Sequence, residues 1–173
     1  MALRPARTIK RKKRPWTRVS KKKPRKSYVK GVPQSRIHVF EMGNKQGKFD
    51  SEVYLVSKDR VQIRSNALEA ARIVSHKFLE TKAGGKNNYF YKILVYPHNV
   101  LRQKPIATGA GADRFSQGMR LAFGKPSGIA AIIKPGQRII MARVNKQHVE
   151  IAKQALKRAS SKIRCRTMIE IKE

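Results

Sequence analysis

Apolar residues along this chain change their spacing several times, and each change marks an element. In RIHVFEMG, Ile37, Val39 and Glu41 alternate with His38 and Phe40. In SEVYLVSKDRVQIRS, Val53 and Leu55, then Val61 and Ile63, repeat every second residue. Period two predicts strands, with Lys58-Asp59 as the turn in the second stretch. The pattern then shifts to helical spacing in SNALEAARIVSHKFLETKAGG, where Ala67, Ala70, Ala71, Val74 and Phe78 share one face. Ser65 or Asn66 stands where a cap is needed and Gly84-Gly85 ends the helix, whose outer face carries Arg72, His76 and Lys77.

Farther on, NYFYKILVYPHNVLR is rich in aromatic and branched residues and predicts one long central strand up to Pro97. GIAAIIKPGQRIIMARVN predicts two strands about a Pro135-Gly136 turn. A second helix at NKQHVEIAKQALKRASSK buries Val149, Ala152, Leu156 and Ala159 and presents Lys146, Lys153 and Lys157, and RTMIEIKE closes as a strand. No internal repeat is visible. Strands, helix, strands, helix and strand in that order predict an α+β fold, a largely antiparallel or mixed sheet backed by two helices, as a single domain over 31–173.

The segment 102–126 fits neither period. It contains GAGADRFSQGMRLAFGKP, in which Gly109, Gly111, Gly118 and Gly124 are interleaved with Arg114, Arg120 and Lys125. A phosphate loop of the Walker kind requires four residues before its Gly-Lys pair and a hydroxyl after it, whereas Gly118 is too far from Gly124-Lys125 and Pro126 takes the hydroxyl position. The dinucleotide fingerprint fails because Arg114 stands where the third small residue belongs. A loop of this length inside a compact domain is expected to be functional.

Charge changes the picture more than any motif. Lys and Arg number 41 against 10 Asp and Glu, a formal net charge of +31, and no acid precedes Glu41. Such a chain repels itself in free solution and gains affinity by releasing counterions from phosphates, which points to nucleic acid. Residues 1–30 read as an extended basic arm, without fixed structure until bound, interrupted by Pro5, Pro15 and Pro24. The expected phosphate contacts are Arg4, Arg7, Lys10, Arg11, Lys12, Lys13, Arg14, Arg18, Lys21, Lys22, Lys23, Arg25 and Lys26, with Trp16 and Tyr28 placed to stack on bases or to pin the arm to the domain. In the folded part, Arg72, Lys77, Arg120 and Lys125 join them.

Enzyme chemistry finds little support. The histidines His38, His76, His98 and His148 lack metal-ligand spacing, and the acids are too dispersed for a carboxylate pair. Cys165, the single cysteine, rules out a disulfide framework; it stands among basic residues of the kind that can lower a thiol pKa, but no His and Asn set accompanies it, and it reads as a core or surface thiol. No catalytic residue, metal or cofactor is expected. The longest aliphatic run, 129–133, is too short to cross a bilayer, and no secretory signal follows the basic start. The expectation is a cytoplasmic protein with no membrane contact and no homo-oligomer.

Four stretches, LRPAR (3–7), NALEAARI (66–73), AGADRFSQGMRLAFGKPSG (110–128) and ALKRASSKI (155–163), closely resemble the universal large-subunit ribosomal protein numbered sixteen in bacteria and ten in archaea and eukaryotes. The RPAR start is similar to the archaeal and eukaryotic branch. The resemblance runs over almost the whole chain and implies an α/β sandwich bound to large-subunit ribosomal RNA below the central protuberance, near the aminoacyl-tRNA corridor. It also implies that the segment 104–114 is a loop directed at the peptidyl-transferase centre and tRNA acceptor ends, so that Arg102, Lys104, Gly109, Gly111 and Arg114 form its tRNA-proximal set. Partners implied are the ribosomal RNA, tRNA transiently, and neighbouring ribosomal proteins. The stretch 8–30 is richer in Lys and Arg than that family, and Asn99 stands where histidine, or an apolar residue followed by histidine, is expected, so contacts at His98 and Asn99 are not carried over. A reading from another class is an assembly or tRNA-binding factor that visits RNA without staying; stoichiometric presence in salt-washed large subunits separates the two.

Overall fold

Period-two patterning does produce strands here, but it does not say which strands pair. In the computed structural model, which describes residues 4–6, 9, 29–107, 109–116, 118–120 and 122–172, the strands are β1 (Glu41–Gly43), β2 (Ser51–Ser57), β3 (Val61–Arg64), β4 (Tyr89–Ile93), β5 (Asn99–Gln103), β6 (Lys125–Ile133), β7 (Arg138–Val144) and β8 (Thr167–Lys172). The helices are α1 (Ser65–Lys82), a single turn α2 (Ala112–Phe115) and α3 (Val149–Ser160). Among the described residues the strands form two sheets, ordered β1-β4-β7-β2-β8 and β3-β6-β5, and the ladders are antiparallel. This bears out the α+β class with two long helices on the core, and divides the expected sheet in two.

The division follows from where the chain breaks. β2 and β3, β4 and β5, and β6 and β7 are each consecutive, yet the members of each pair lie in different sheets. The expected strand up to Pro97 is β4 but stops earlier, at Ile93, and a further strand, β5, begins beyond Pro97, which carries no N–H for a ladder. Two of the crossings are tied together: the Ser57 N–H donates to the Gln137 carbonyl (3.0 Å) and the Gly136 N–H donates to the Ser57 carbonyl (2.8 Å). Lys58 and Asp59 do turn the chain, with the Ser57 hydroxyl donating to the Asp59 carbonyl (2.8 Å). Pro135-Gly136 also turns it, but neither turn closes a hairpin.

Register in the larger sheet contains one irregularity with a clear effect. Leu55 faces Ile140 while Val56 faces Arg138, so Ile139 is the extra residue of a bulge. Both Ile139 and Ile140 consequently reach the core, and Arg138 stays on the outer face, its guanidinium 4.0 Å above the Tyr54 ring. One continuous core joins both sheets to both helices through Leu55, Ile63, Leu68, Leu79, Tyr91, Ile133, Ile140 and Leu156.

The buried face of α1 differs from the expected one. Leu68, Ala71, Ser75 and Leu79 are buried, whereas Ala67, Ala70, Val74 and Phe78 are half-buried, a rotation of about one residue. Ser75 conceals the true phase, since a serine reads as a surface residue. Its hydroxyl bonds the Ala71 carbonyl (2.7 Å) and the Tyr91 hydroxyl (2.7 Å), which satisfies it inside the core. Arg64 occupies the N-cap position and no side chain caps the helix, so neither Ser65 nor Asn66 does so. The stop is as expected: Gly84 takes φ 75°, the Ala83 N–H donates to the Leu79 carbonyl (2.8 Å) and the Gly85 N–H to the Glu80 carbonyl (3.3 Å).

In 36–43 only β1 is a strand. Ile37 is 1% exposed but Val39 is 46% exposed, so the expected alternation is lost after the first residue. The second helix agrees with its pattern, with Ala152, Ala155, Leu156 and Ala159 buried, Val149 at the margin, and Lys146 and Lys157 exposed. The corrected phase of α1 is testable. Leu79→Ala should lower unfolding stability by about 2–5 kcal/mol through transfer and cavity terms. Val74→Ala, on the shoulder, should cost about 1 kcal/mol or less. Urea unfolding of the two variants followed by circular dichroism checks the difference, and equal losses would restore the face inferred from periodicity.

Candidate nucleic-acid interface

The glycine-rich segment leaves the smaller sheet as the connection of a hairpin. β5 pairs with β6, with Arg102 opposite Pro126 and Gln103 opposite Lys125. The expected loop 102–126 is thus trimmed at both ends to 104–124. At its base the Arg102 guanidinium donates to the Gly124 carbonyl (2.8 Å) and lies 4.0 Å from the centre of the Phe123 ring. Gly124 has φ 73°, and a Cβ there would stand 2.7 Å from the Gln103 carbonyl carbon, so only glycine lets the two strands close. The Ser127 hydroxyl donates to the Leu101 carbonyl (3.2 Å) just inside the base. Farther out, the Ala107 N–H donates to the Ser116 hydroxyl (3.2 Å), tying the outgoing limb to the end of α2.

The expected tRNA-proximal residues divide between base and tip. Gly109, Gly111 and Arg114 are exposed in the outer part, Lys104 is half-buried at the start, and Arg102 is engaged in the clamp just described. Arg120 and Lys125 are exposed on the return limb. On α1, Lys77 is exposed, while Arg72 is half-buried and donates to both Glu69 oxygens (2.9 and 2.5 Å) and to the Met42 sulfur (3.1 Å). Arg4 is exposed. Arg7, Lys10, Arg11, Lys12, Lys13, Arg14, Trp16, Arg18, Lys21, Lys22, Lys23, Arg25, Lys26 and Tyr28 lie outside the described residues.

Pattern reading missed the groups that hold the first residues of the arm. Arg164 donates to the carbonyls of Ala6 and Ile9 (the latter at 3.1 Å), and Arg64 donates to that of Pro5 (3.4 Å). Their acceptors are main-chain carbonyls, which leave no mark in a side-chain pattern. Arg158 was equally hidden; it lies 4.0 Å over Phe78, bridging the outer sides of α3 and α1.

Charge is segregated over the surface. On the outer face of the larger sheet, Phe90, Arg143, Glu52 and Lys172 form one cross-strand row, and Lys92, Met141, Tyr54 and Glu170 the next. Glu41 bonds Lys45 and Lys92 (both 2.7 Å), Glu52 bonds Arg143 (2.7 Å), and Glu170 lies 3.7 Å from Arg138. The Lys45 and Lys92 hydrogen bonds hold the Glu41 carboxyl down at about 2, and the Tyr54 hydroxyl, which donates to Glu52, lowers that carboxyl too, with Arg143 reinforcing it. Each of the three acids on this face, Glu41, Glu52 and Glu170, thus answers at least one cation of the chain itself. Lys77, Arg114, Arg120, Lys125, Lys146 and Lys157 take part in no ion pair among the described residues, which leaves their charge for an outside anion.

No group of His, Cys, Asp and Glu fit to hold a metal occurs among the described residues, and none of their helices is long and apolar enough to cross a membrane. Cys165 is half-buried against the core, as a core or surface thiol would be, and burial pushes its thiol up. His76 packs against the edge of the Tyr89 ring, and burial depresses its pKa despite Glu80 nearby.

A family model described as ribosomal protein L16p/L10e matches residues 12–170. The large ribosomal subunit protein uL16 of Archaeoglobus fulgidus is 47% identical over 173 residues, spanning 100% of this chain and 95% of its own length. The protein of the same name from Staphylothermus marinus is 52% identical over 139 residues, 80% of this chain and 79% of its own. That from Methanococcus aeolicus is 45% identical over 172 residues, 98% and 95% respectively.

Two outcomes follow from the geometry. Gly124→Ala should open the loop base, since its Cβ would meet main-chain atoms that cannot step aside; amide exchange should quicken across β5 and the start of β6 and stay unchanged in α1. Acid should weaken the larger sheet. Carboxyls whose folded pKa lies below the unfolded value contribute stability above about pH 4.3, and that contribution is lost as pH falls toward about 2. Glu41→Gln should therefore flatten the fall in unfolding stability between about pH 4.5 and 2, and an unchanged acid limb in denaturant titrations would contradict the pairing.

Proposed function

Because the chain belongs to the ribosomal protein L16p/L10e family, we propose that it lies on large-subunit ribosomal RNA through its basic arm and unpaired surface cations, with the loop 104–124 reaching the tRNA corridor near the peptidyl-transferase centre. The family membership makes it a structural, non-enzymatic protein of the large ribosomal subunit, of the archaeal type, and so of the cytoplasmic ribosome. Ribosomal RNA and neighbouring ribosomal proteins are its partners in that assembly. The single observation that carries the finer reading is the separation of a sheet face whose cations are largely paired with acids of the same chain from a loop and helix surface whose cations take part in no ion pair among the described residues.

On this reading the arm residues, Lys77, Arg120 and Lys125 neutralise phosphates, and each contact releases counterions. Arg72 contributes less, because Glu69 and Met42 already engage its donors. The glycines keep the loop thin, and Lys104 and Arg114 supply charge to tRNA ends that visit and leave. A single copy serves each subunit, without self-association.

If about ten phosphates are neutralised, log affinity for large-subunit RNA should fall against log salt with a slope of roughly −7 to −9. A slope near zero ends this account. Lys104→Ala and Arg114→Ala should change stability by no more than about 0.5 kcal/mol. In assembled subunits each lost phosphate contact should cost about 1.5–3 kcal/mol locally, read as slower peptide-bond formation at full protein occupancy. Loop variants both fully bound and fully active would remove the loop from tRNA function. Loss of the protein from subunits at moderate salt would favour a transient factor instead.

A further inference from the structure

Four aromatic rings among the described residues carry a guanidinium on one face, and three of them are sheltered. Tyr54 under Arg138 and Phe90 near Arg143 are buried, and Phe78 beneath Arg158 is half-buried against the core. Phe123 is the exception: with Arg102 over it at 4.0 Å it remains 60% exposed. An aromatic ring left in water forgoes the burial that usually places such residues inside a fold.

The ring is nevertheless held. Arg102 belongs to β5, its guanidinium is anchored on the Gly124 carbonyl, and Gly124 in turn is pressed against the Gln103 main chain. The position of Phe123 is thereby set by the closed end of the hairpin, with one face covered by a cation and a large part of its surface open. Exposed Arg120 and Lys125 stand three residues before it and two after. A fixed flat apolar face beside phosphate-binding cations is the chemistry that receives a splayed base of single-stranded RNA.

We propose that Phe123, backed by Arg102, is a stacking site for an unpaired nucleobase at the root of the loop. Arg102 is accordingly a positioning residue that orients the ring, not a phosphate contact. The assignment rests on the RNA-binding reading above and adds a base-stacking contact to its electrostatic ones. A protein neighbour covering the ring is the competing occupant, and the flanking cations argue against it.

The test uses the full chain and large subunits assembled in its absence. Phe123→Leu keeps the apolar volume and loses the flat π-face, so affinity should fall roughly tenfold, with the melting temperature and the salt slope unchanged. Phe123→Trp should retain affinity. Arg102→Ala should weaken binding to a similar degree, with little further loss when combined with Phe123→Leu; a salt slope reduced by about one unit would instead mark Arg102 as a direct phosphate contact and overturn its positioning role. A photoreactive phenylalanine at position 123 should cross-link to RNA. Cross-linking to a ribosomal protein, or Phe123→Leu binding like the parent while the parent keeps its steep salt slope, would overturn the stacking site alone. A parent without salt-dependent binding would overturn the RNA reading with it.

Discussion

Mutual repulsion among positive charges is the constraint under which this protein folds. With 41 basic and 10 acidic residues, most cations have no carboxylate to answer them. Several of the few acids stand at joins between elements. Glu41 links β1 to Lys92 of β4, and Glu52 links β2 to Arg143 of β7. Asp59 sits at the crossing after β2 and accepts from Arg166 at the entrance to β8. Exposed pairs of this kind are individually worth about 1 kcal/mol or less. Their effect is local compensation, which lets strands rich in Lys and Arg lie side by side.

Net stability must then come from the apolar interior. The chain passes four times between two sheets, once through α1 and directly at 58–60, 94–98 and 134–137, and each passage places one strand of a consecutive pair on either side of the shared core. Tyr89, Tyr91, Leu55, Ile140 and Leu156 are almost fully buried there. This arrangement leaves the β5–β6 hairpin free to extend its connection outward without disturbing the core. The loop base needs its own fastening for the same reason: the Arg102 clamp and the bare Cα of Gly124 replace the packing that a buried turn would have.

Binding and folding therefore occupy different charges. Most cations on the outer face of the larger sheet are paired with acids of the chain, and Lys77, Lys157 and the loop's Arg114, Arg120 and Lys125 take part in no ion pair among the described residues. Arg72 belongs to the first group despite its place on the outer side of α1, because Glu69 lies one turn before it. A helical wheel shows the direction of a side chain but not whether its charge is already answered.

Much was legible from residues alone. The charge excess required a polyanion, the motif words carried the family, the two helices appeared in their places, and the glycines of 109–124 marked a long connection. Those features depend on local sequence: composition, i to i+4 spacing and the tolerance of glycine for positive φ. What the tertiary structure alone decided is non-local. Strand pairing across two sheets is chosen by which apolar faces can close over one core, and Pro97 or Pro135 marks a break without naming the sheet that follows. The phase of α1 turned on Ser75 finding Tyr91, a partner 16 residues away, and the start of the arm turned on Arg164 finding carbonyls more than 150 residues away. Hydrogen bonds to main-chain atoms and to distant hydroxyls are set by three-dimensional proximity, and sequence order does not encode proximity in advance.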